Sequence, residues 1–150
     1  MKTEIKVTTL YHEELVNLLS TALEGSNWFG ASYDRNIYHS ITETRGDCFE
    51  DKLADMLLSG HKITIIDYYA EGDKYSNKCT GFDDDENAIY EIGLEDILKV
   101  ASTTIGYKIL REVIGYDKEY GDEFDEVGTG DYWTADAFLQ RVVFGEEIYG

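Results

Sequence analysis

Residues 62–69 read KITIIDYY, and no other stretch limits the possible folds as much. Ile63, Ile65 and Asp67 fall on one side and Ile66 and Tyr68 on the other. That period of two is the pattern of a β-strand whose faces meet different surroundings. Two more strands are expected close behind. A turn at 70–73 (AEGD) leads into 75–82 (YSNKCTGF), and the acidic turn 83–87 (DDDEN) leads into 88–92 (AIYEI). Connections this short between successive strands predict an antiparallel meander.

Upstream, 4–9 (EIKVTT) alternates with Ile5 and Val7 on one side and reads as a first strand, and 36–44 (NIYHSITET) has the β-branched and aromatic content of another. Between them Tyr11, Leu15, Leu18, Leu19 and Ala22 lay one apolar stripe along a helix. Glu13 and Glu14 fall in its first turn, where the helix dipole favours negative charge, and Gly25 stops it. Residues 26–35 (SNWFGASYDR) read as an aromatic loop. Trp28 and Phe29 there either fold under the first helix, the more ordinary fate of large apolar side chains, or form an exposed contact patch.

A second helix follows on Phe49, Leu53, Met56 and Leu57, with Asp47 and Glu50 spaced as an Asp variant of the capping box and Gly60 as its end. Leu94, Ile97, Leu98, Ala101 and Ile105 restart helical spacing, which runs on to residue 114 with a break or kink expected at Gly106. Ala135, Phe138, Leu139 and Val142 give a last helix, capped by Thr134 and stopped near Gly145. No linker, repeat or Pro/Gly-rich boundary divides the chain, so residues 1–150 are expected to form one domain. The expected fold class is α+β, an antiparallel sheet of about four to five strands with helices packed mainly on one face.

Composition enters at the question of function. The chain carries 31 acidic against 13 basic residues, a net charge of −18. Residues 1–62 hold a net of −4 and residues 63–150 a net of −14. Such a charge keeps a protein soluble, repels nucleic acid and anionic membranes, and favours partners with basic surfaces. The two cysteines, Cys48 and Cys79, are too few for a disulfide framework and read as reduced cytosolic thiols. The opening MKTEIKVTTLYHEEL has no apolar core of a signal peptide, and no stretch approaches a membrane span. A soluble intracellular protein is expected.

Specific chemistries find little purchase. An EF-hand register begun at Asp83 meets Ala88 where glycine is required and Leu94 where a bidentate Glu is required. A register begun at Asp117 meets Gly121 one residue early and ends on Gly128. His12, His39 and His61 are scattered without zinc-ligand spacing, so no metal and no cofactor are expected. There is no nucleophile elbow, and the lone Gly128-Thr129-Gly130 lies between Glu126 and Asp131, which repel phosphate. No catalytic residues are assigned.

The acidic runs remain as candidate surfaces. Asp83, Asp84, Asp85 and Glu86 form one. Asp117, Glu119, Asp122, Glu123, Asp125, Glu126 and Asp131 form the other, with Tyr116, Tyr120, Phe124, Tyr132 and Trp133 threaded through it. Duplex DNA carries one charge per about 1.7 Å of axis. Extended chain rises roughly 3.3 Å per residue, so runs of carboxylate approach that density and can occupy a basic groove. Aromatic anchors such as Tyr120, Phe124 and Trp133 add desolvated contacts that point charges cannot supply. The ordinary alternative is a solvated charged loop.

Residues 13–30 (EELVNLLSTALEGSNWFG) and 134–150 (TADAFLQRVVFGEEIYG) resemble segments of small uncharacterised bacteriophage and prophage accessory proteins. The resemblance covers about a quarter of the chain and brings no established activity or site residues. It implies a phage accessory product in the host-cell cytoplasm. By analogy of class, that points to a non-enzymatic inhibitor of host defence, of the anti-CRISPR or nucleic-acid-mimic kind, whose partner is a basic host protein or ribonucleoprotein rather than nucleic acid or membrane. The alternative expectation is a small-molecule sponge that sequesters a nucleotide immune signal in a basic pocket.

Overall fold

The computed structural model describes residues 7–69, 78–114 and 132–149. Ten elements follow in chain order: α1 (His12–Gly25), β1 (Phe29–Ser32), α2 (Arg35–Ser40), α3 (Phe49–Leu58), β2 (Ile63–Asp67), β3 (Cys79–Phe82), β4 (Ala88–Ile92), α4 (Leu94–Ala101), α5 (Thr104–Ile114) and α6 (Tyr132–Phe144). The fold is α+β, with one antiparallel four-stranded sheet in the order β1-β2-β4-β3. Residues 70–73 and 75–77, expected as a turn and the start of a strand, lie outside the described residues.

The expected faces of β2 hold. Ile63, Ile65 and Asp67 are buried, and opposite them on β4 stand Ile92, Tyr90 and Ala88, also buried. This face carries the helices. The other face shows the half-buried Ile66 and Ile89, a hydrogen bond from Thr64 Oγ1 to Glu91 Oε1 at 3.1 Å, and exposed Tyr68. The Tyr68 ring lies so close over Gly30 that a Cβ there would overlap its hydroxyl.

The sheet is not the simple meander expected. β4, not β3, lies beside β2. Burial explains the choice: alternate residues of β4 are fully buried, whereas β3 is short, carries Gly81 and shifts register between Cys79 and Gly81. A strand so interrupted belongs at an edge. The other edge, β1, comes from the stretch read as a loop. Its sequence FGAS has weak strand propensity, but it pairs with β2 from Phe29 to Ser32, and the Tyr68 N–H donates to the Trp28 carbonyl at 2.7 Å. Trp28 and Phe29 are buried.

Two stretches expected as strands do not join the sheet among the described residues. Residues 36–40 belong to α2, because the Asp34 carboxylate accepts from the Asn36 and Ile37 N–H groups at 2.9 and 3.1 Å and caps a helix there. This N-cap outweighs the β-branched composition. Residues 41–47 run on as an irregular strap. Residues 4–6 lie outside the described residues, and Val7 to Thr9 are not strand. The Val7 N–H instead donates to Ser102 Oγ at 2.9 Å, at the end of α4.

Three helices begin by one device. The residues before α1, α3 and α4 are Tyr11, Cys48 and Gly93, none of which supplies a short capping oxygen. In each case an acid three residues on reaches back to that residue's N–H: Glu14 at 2.7 Å, Asp51 at 3.2 Å and Asp96 at 2.8 Å. The cap of α3 therefore sits one residue beyond the expected Asp47/Glu50 pair. The break between α4 and α5 falls at Ser102 and Thr103, three residues before the expected Gly106, which lies inside α5 and where a Cβ would overlap the Val100 carbonyl oxygen. The break shifts the phase of α5, so Ile105, expected on the apolar stripe, is exposed, while Tyr107 and Leu110 are buried. α6 begins at Tyr132, which makes Thr134 a first-turn residue rather than the cap.

The core lies between the helix-bearing sheet face and a layer in which α6 packs on α1, α5 and β4, and α3 on α1 and β2. Phe138, Leu139, Val142 and Val143 meet Leu15, Leu18, Leu19 and Ala22 in it. A polar chain locks the layers together. Asp136 accepts from Trp28 Nε1 at 2.8 Å, Ser26 Oγ at 2.9 Å and Gln140 Nε2 at 2.7 Å. Gln140 Oε1 accepts from the N–H groups of Ile148 and Tyr149, both at 2.8 Å. The Tyr149 hydroxyl donates to Asp67 Oδ2 at 2.8 Å. Phe144 and Tyr149 pack their rings on Trp28. The segment after α6 is thus part of the scaffold. No helix among the described residues is long and apolar enough to cross a membrane.

Candidate functional site

The described part of the acidic surface is the β3–β4 hairpin tip. Its four acids do not play one role. Asp83 turns inward: its carboxylate accepts from the Asp85 and Asn87 N–H groups at 2.9 and 2.8 Å and from Asn87 Nδ2 at 3.1 Å. The N–H of Asn87 beside the carboxylate is the main reason that its pKa is lowered. The Glu86 N–H donates to the Asp83 carbonyl at 3.0 Å and closes the turn. Asp83 therefore builds the tip, and Asp84, Asp85 and Glu86 are the exposed charges. Glu86 sits at φ +65°, in the left-handed region that side chains other than Gly, Asn and Asp seldom adopt.

Asp117, Glu119, Tyr120, Asp122, Glu123, Phe124, Asp125, Glu126 and Asp131 lie outside the described residues. Trp133 falls in the first turn of α6, with its side chain outside what the structure describes.

A second arrangement was not legible in the sequence. Asp51 and Asp55, one helical turn apart on α3, face His12 at the start of α1. His12 Nε2 stands 3.3 Å from Asp55 Oδ1 and 3.7 Å from Asp51 Oδ1. His12 and Asp55 are only 6% and 2% exposed. The Arg45 N–H donates to both Asp55 oxygens at 3.2 and 3.1 Å, which ties the strap to α3. A cleft of about 300 Å³ opens beside them, lined by Leu10, Tyr11, Glu43, Arg45, Leu58 and Ser59 as well as His12 and Asp55. The i, i+4 spacing of the two aspartates is visible in the sequence. That His12 faces them is set by the packing of α1 on α3, which spacing does not encode.

Chemically the cleft mixes two carboxylates with one guanidinium and one imidazole. That is not the cationic lining that holds a nucleotide phosphate. His12 Nε2 makes no hydrogen bond. Among the described residues no three His, Cys, Asp or Glu side chains are placed to hold a metal ion. Comparison of the chain with protein-family models, curated proteins and solved structures returns no match.

Proposed function

We propose that this protein is an acidic inhibitor of phage type, which blocks a host defence complex that handles nucleic acid by binding its basic surface. The reading rests on the hairpin tip. Three exposed carboxylates are held on a hydrogen-bonded turn, and one of them, Glu86, occupies a backbone conformation that glycine would adopt without strain. A turn selected for stability alone would carry glycine or asparagine there. A strained carboxylate at a loop tip is what a binding surface retains. The net charge of −14 over residues 63–150 supplies the long-range attraction toward a basic partner.

The test is capture from host lysate at low salt, followed by competition with DNA or RNA for the captured partner. Reversing the charges of Asp84, Asp85 and Glu86, and separately those at 117–126, should weaken capture about tenfold or more at low salt, and added salt should weaken the native protein likewise. Recovery of no nucleic-acid-binding protein, together with charge-reversed variants that still inhibit, would sink the reading.

A further inference from the structure

The cleft between α1, α3 and the strap at 41–47 has a floor and a mouth of different character. At the floor Asp55 is almost wholly buried, and among the described residues its carboxylate accepts from one donor only, the Arg45 N–H. A carboxylate offers about four lone-pair sites, so a buried one held by a single N–H has accepting capacity to spare. His12, also buried, lines the same floor, and its Nε2 makes no hydrogen bond although it stands 3.3 Å from Asp55 Oδ1. Buried polar groups ordinarily find partners, so two neighbours that fall short mark a place where a ligand's polar atoms gain most. At the mouth stand two exposed side chains of opposite sign, Glu43 and Arg45, and Leu10, Tyr11 and Leu58 complete the wall. Glu43, Leu58 and Ser59 are shared with a second cleft of about 280 Å³, which reaches Ile41 and His61.

This lining disfavours simple ions. An anion meets Asp55 and Glu43, a cation meets Arg45, and a neutral apolar molecule leaves the floor unsatisfied. A molecule with both charges close together meets each group with its complement. We propose that the cleft binds a small zwitterion of the α-amino-acid class. Its ammonium donates to Asp55 at the floor, its carboxylate takes the guanidinium of Arg45, and its side chain lies along Leu58 toward Ile41. The backbone places Arg45 for this. Its own N–H is bonded to Asp55 at 3.2 and 3.1 Å, which tethers the guanidinium within one side chain's length of that carboxylate. An α-amino acid presents the matching pair on a single carbon. The volume of about 300 Å³ lies at the small end of ligand sites, which run to roughly 300–1,000 Å³, and suits a free amino acid. The inference uses no part of the hairpin tip and stands or falls separately from the proposed inhibition.

The experiment is a titration of the full chain, with no partner protein present, against the common L-amino acids, followed by nuclear magnetic resonance of the backbone amides. Leucine, whose side chain suits Leu58 and Ile41, is the expected best ligand and should shift the Arg45 and Ser59 amides saturably in the millimolar range. The tightest binder is then compared with the amine that lacks its carboxylate and the acid that lacks its ammonium; for leucine these are isopentylamine and isocaproate. Each should bind at least about tenfold more weakly, the loss of one charge-assisted bond. Arg45→Gln keeps the backbone N–H and should lower the amino acid to the affinity of the amine. Asp55→Asn should abolish binding, and if that variant fails to fold, Arg45→Gln at its exposed position decides. No saturable shift in the strap with any amino acid, an amine or acid that binds as well as its parent, or native affinity in Arg45→Gln would each overturn the proposal.

Discussion

Asp67 ends β2 on the core side, fully buried, where the Tyr69 N–H at 2.9 Å and the Tyr149 hydroxyl are its donors. Desolvation outweighs those two hydrogen bonds and raises its pKa above the ordinary carboxylate range. The folded state therefore favours the protonated acid. The stability this adds is fully present below the unfolded value and is lost as pH rises through the folded one. Asparagine has no such dependence, so Asp67→Asn should gain on the native protein as pH rises above the ordinary carboxylate range, read from urea midpoints at about pH 4 and at neutral pH. The opposite trend would mean that the bonds, not burial, dominate. At the hairpin tip Glu86→Gly should remove left-handed strain and stabilise by roughly 1 kcal/mol, while it weakens partner capture if the proposed inhibition is right. Stability and binding would then move in opposite directions with one substitution, which thermal melts and capture together would show.

At the scale of elements, α2 is the clearest case of a local cap deciding a conformation. It buries none of its residues fully, although Tyr38 packs against the core, so the cap carries more of its stability than in the longer helices. Asp34→Ala should melt α2, at a local cost of about 1 kcal/mol, with amide protection lost at Tyr38 and Ile41 and little change in the global midpoint. The same helix shows what the sequence conceals. NIYHSITET has strand composition, and only the two N–H groups reaching Asp34 reverse it. By contrast the stripes of α1, α3 and α6 were legible apart from Tyr11 and Phe49, which stand exposed at the helix starts, and so were the alternation of β2 and the strand at β4, because burial enforces the periodicity of amphipathic elements. β1 was not, since FGAS becomes a strand only by pairing with β2. Of the site, the acids of the hairpin tip were legible as a run. Their division into an inward Asp83 and three outward charges depends on turn hydrogen bonds, and the meeting of His12 with Asp51 and Asp55 depends on helix packing.

For the whole molecule, two long-range effects oppose each other. The net charge of −18 makes the compact state repel itself, so added salt should raise the thermal midpoint until screening is complete, as a calorimetric salt series would record. Against that repulsion stands the polar chain from Trp28 through Asp136 and Gln140 to Tyr149 and Asp67. Gln140→Ala strands the Ile148 and Tyr149 N–H groups and deprives Asp136 of one donor, and should cost about 2–4 kcal/mol in chemical denaturation. That chain also carries a consequence for synthesis. Its partners lie 108 residues apart at Trp28 and Asp136, and 82 apart at Asp67 and Tyr149. A ribosome releases the early partners long before the late ones exist. The indole of Trp28 and the carboxyl of Asp67 must wait, hydrated or chaperoned, until α6 and the segment after it emerge. A nascent chain halted before Asp136 would lack the helix on which its first helix packs, so the sheet and α1 are expected to become protease-resistant together, late in translation, rather than in the order in which they are made.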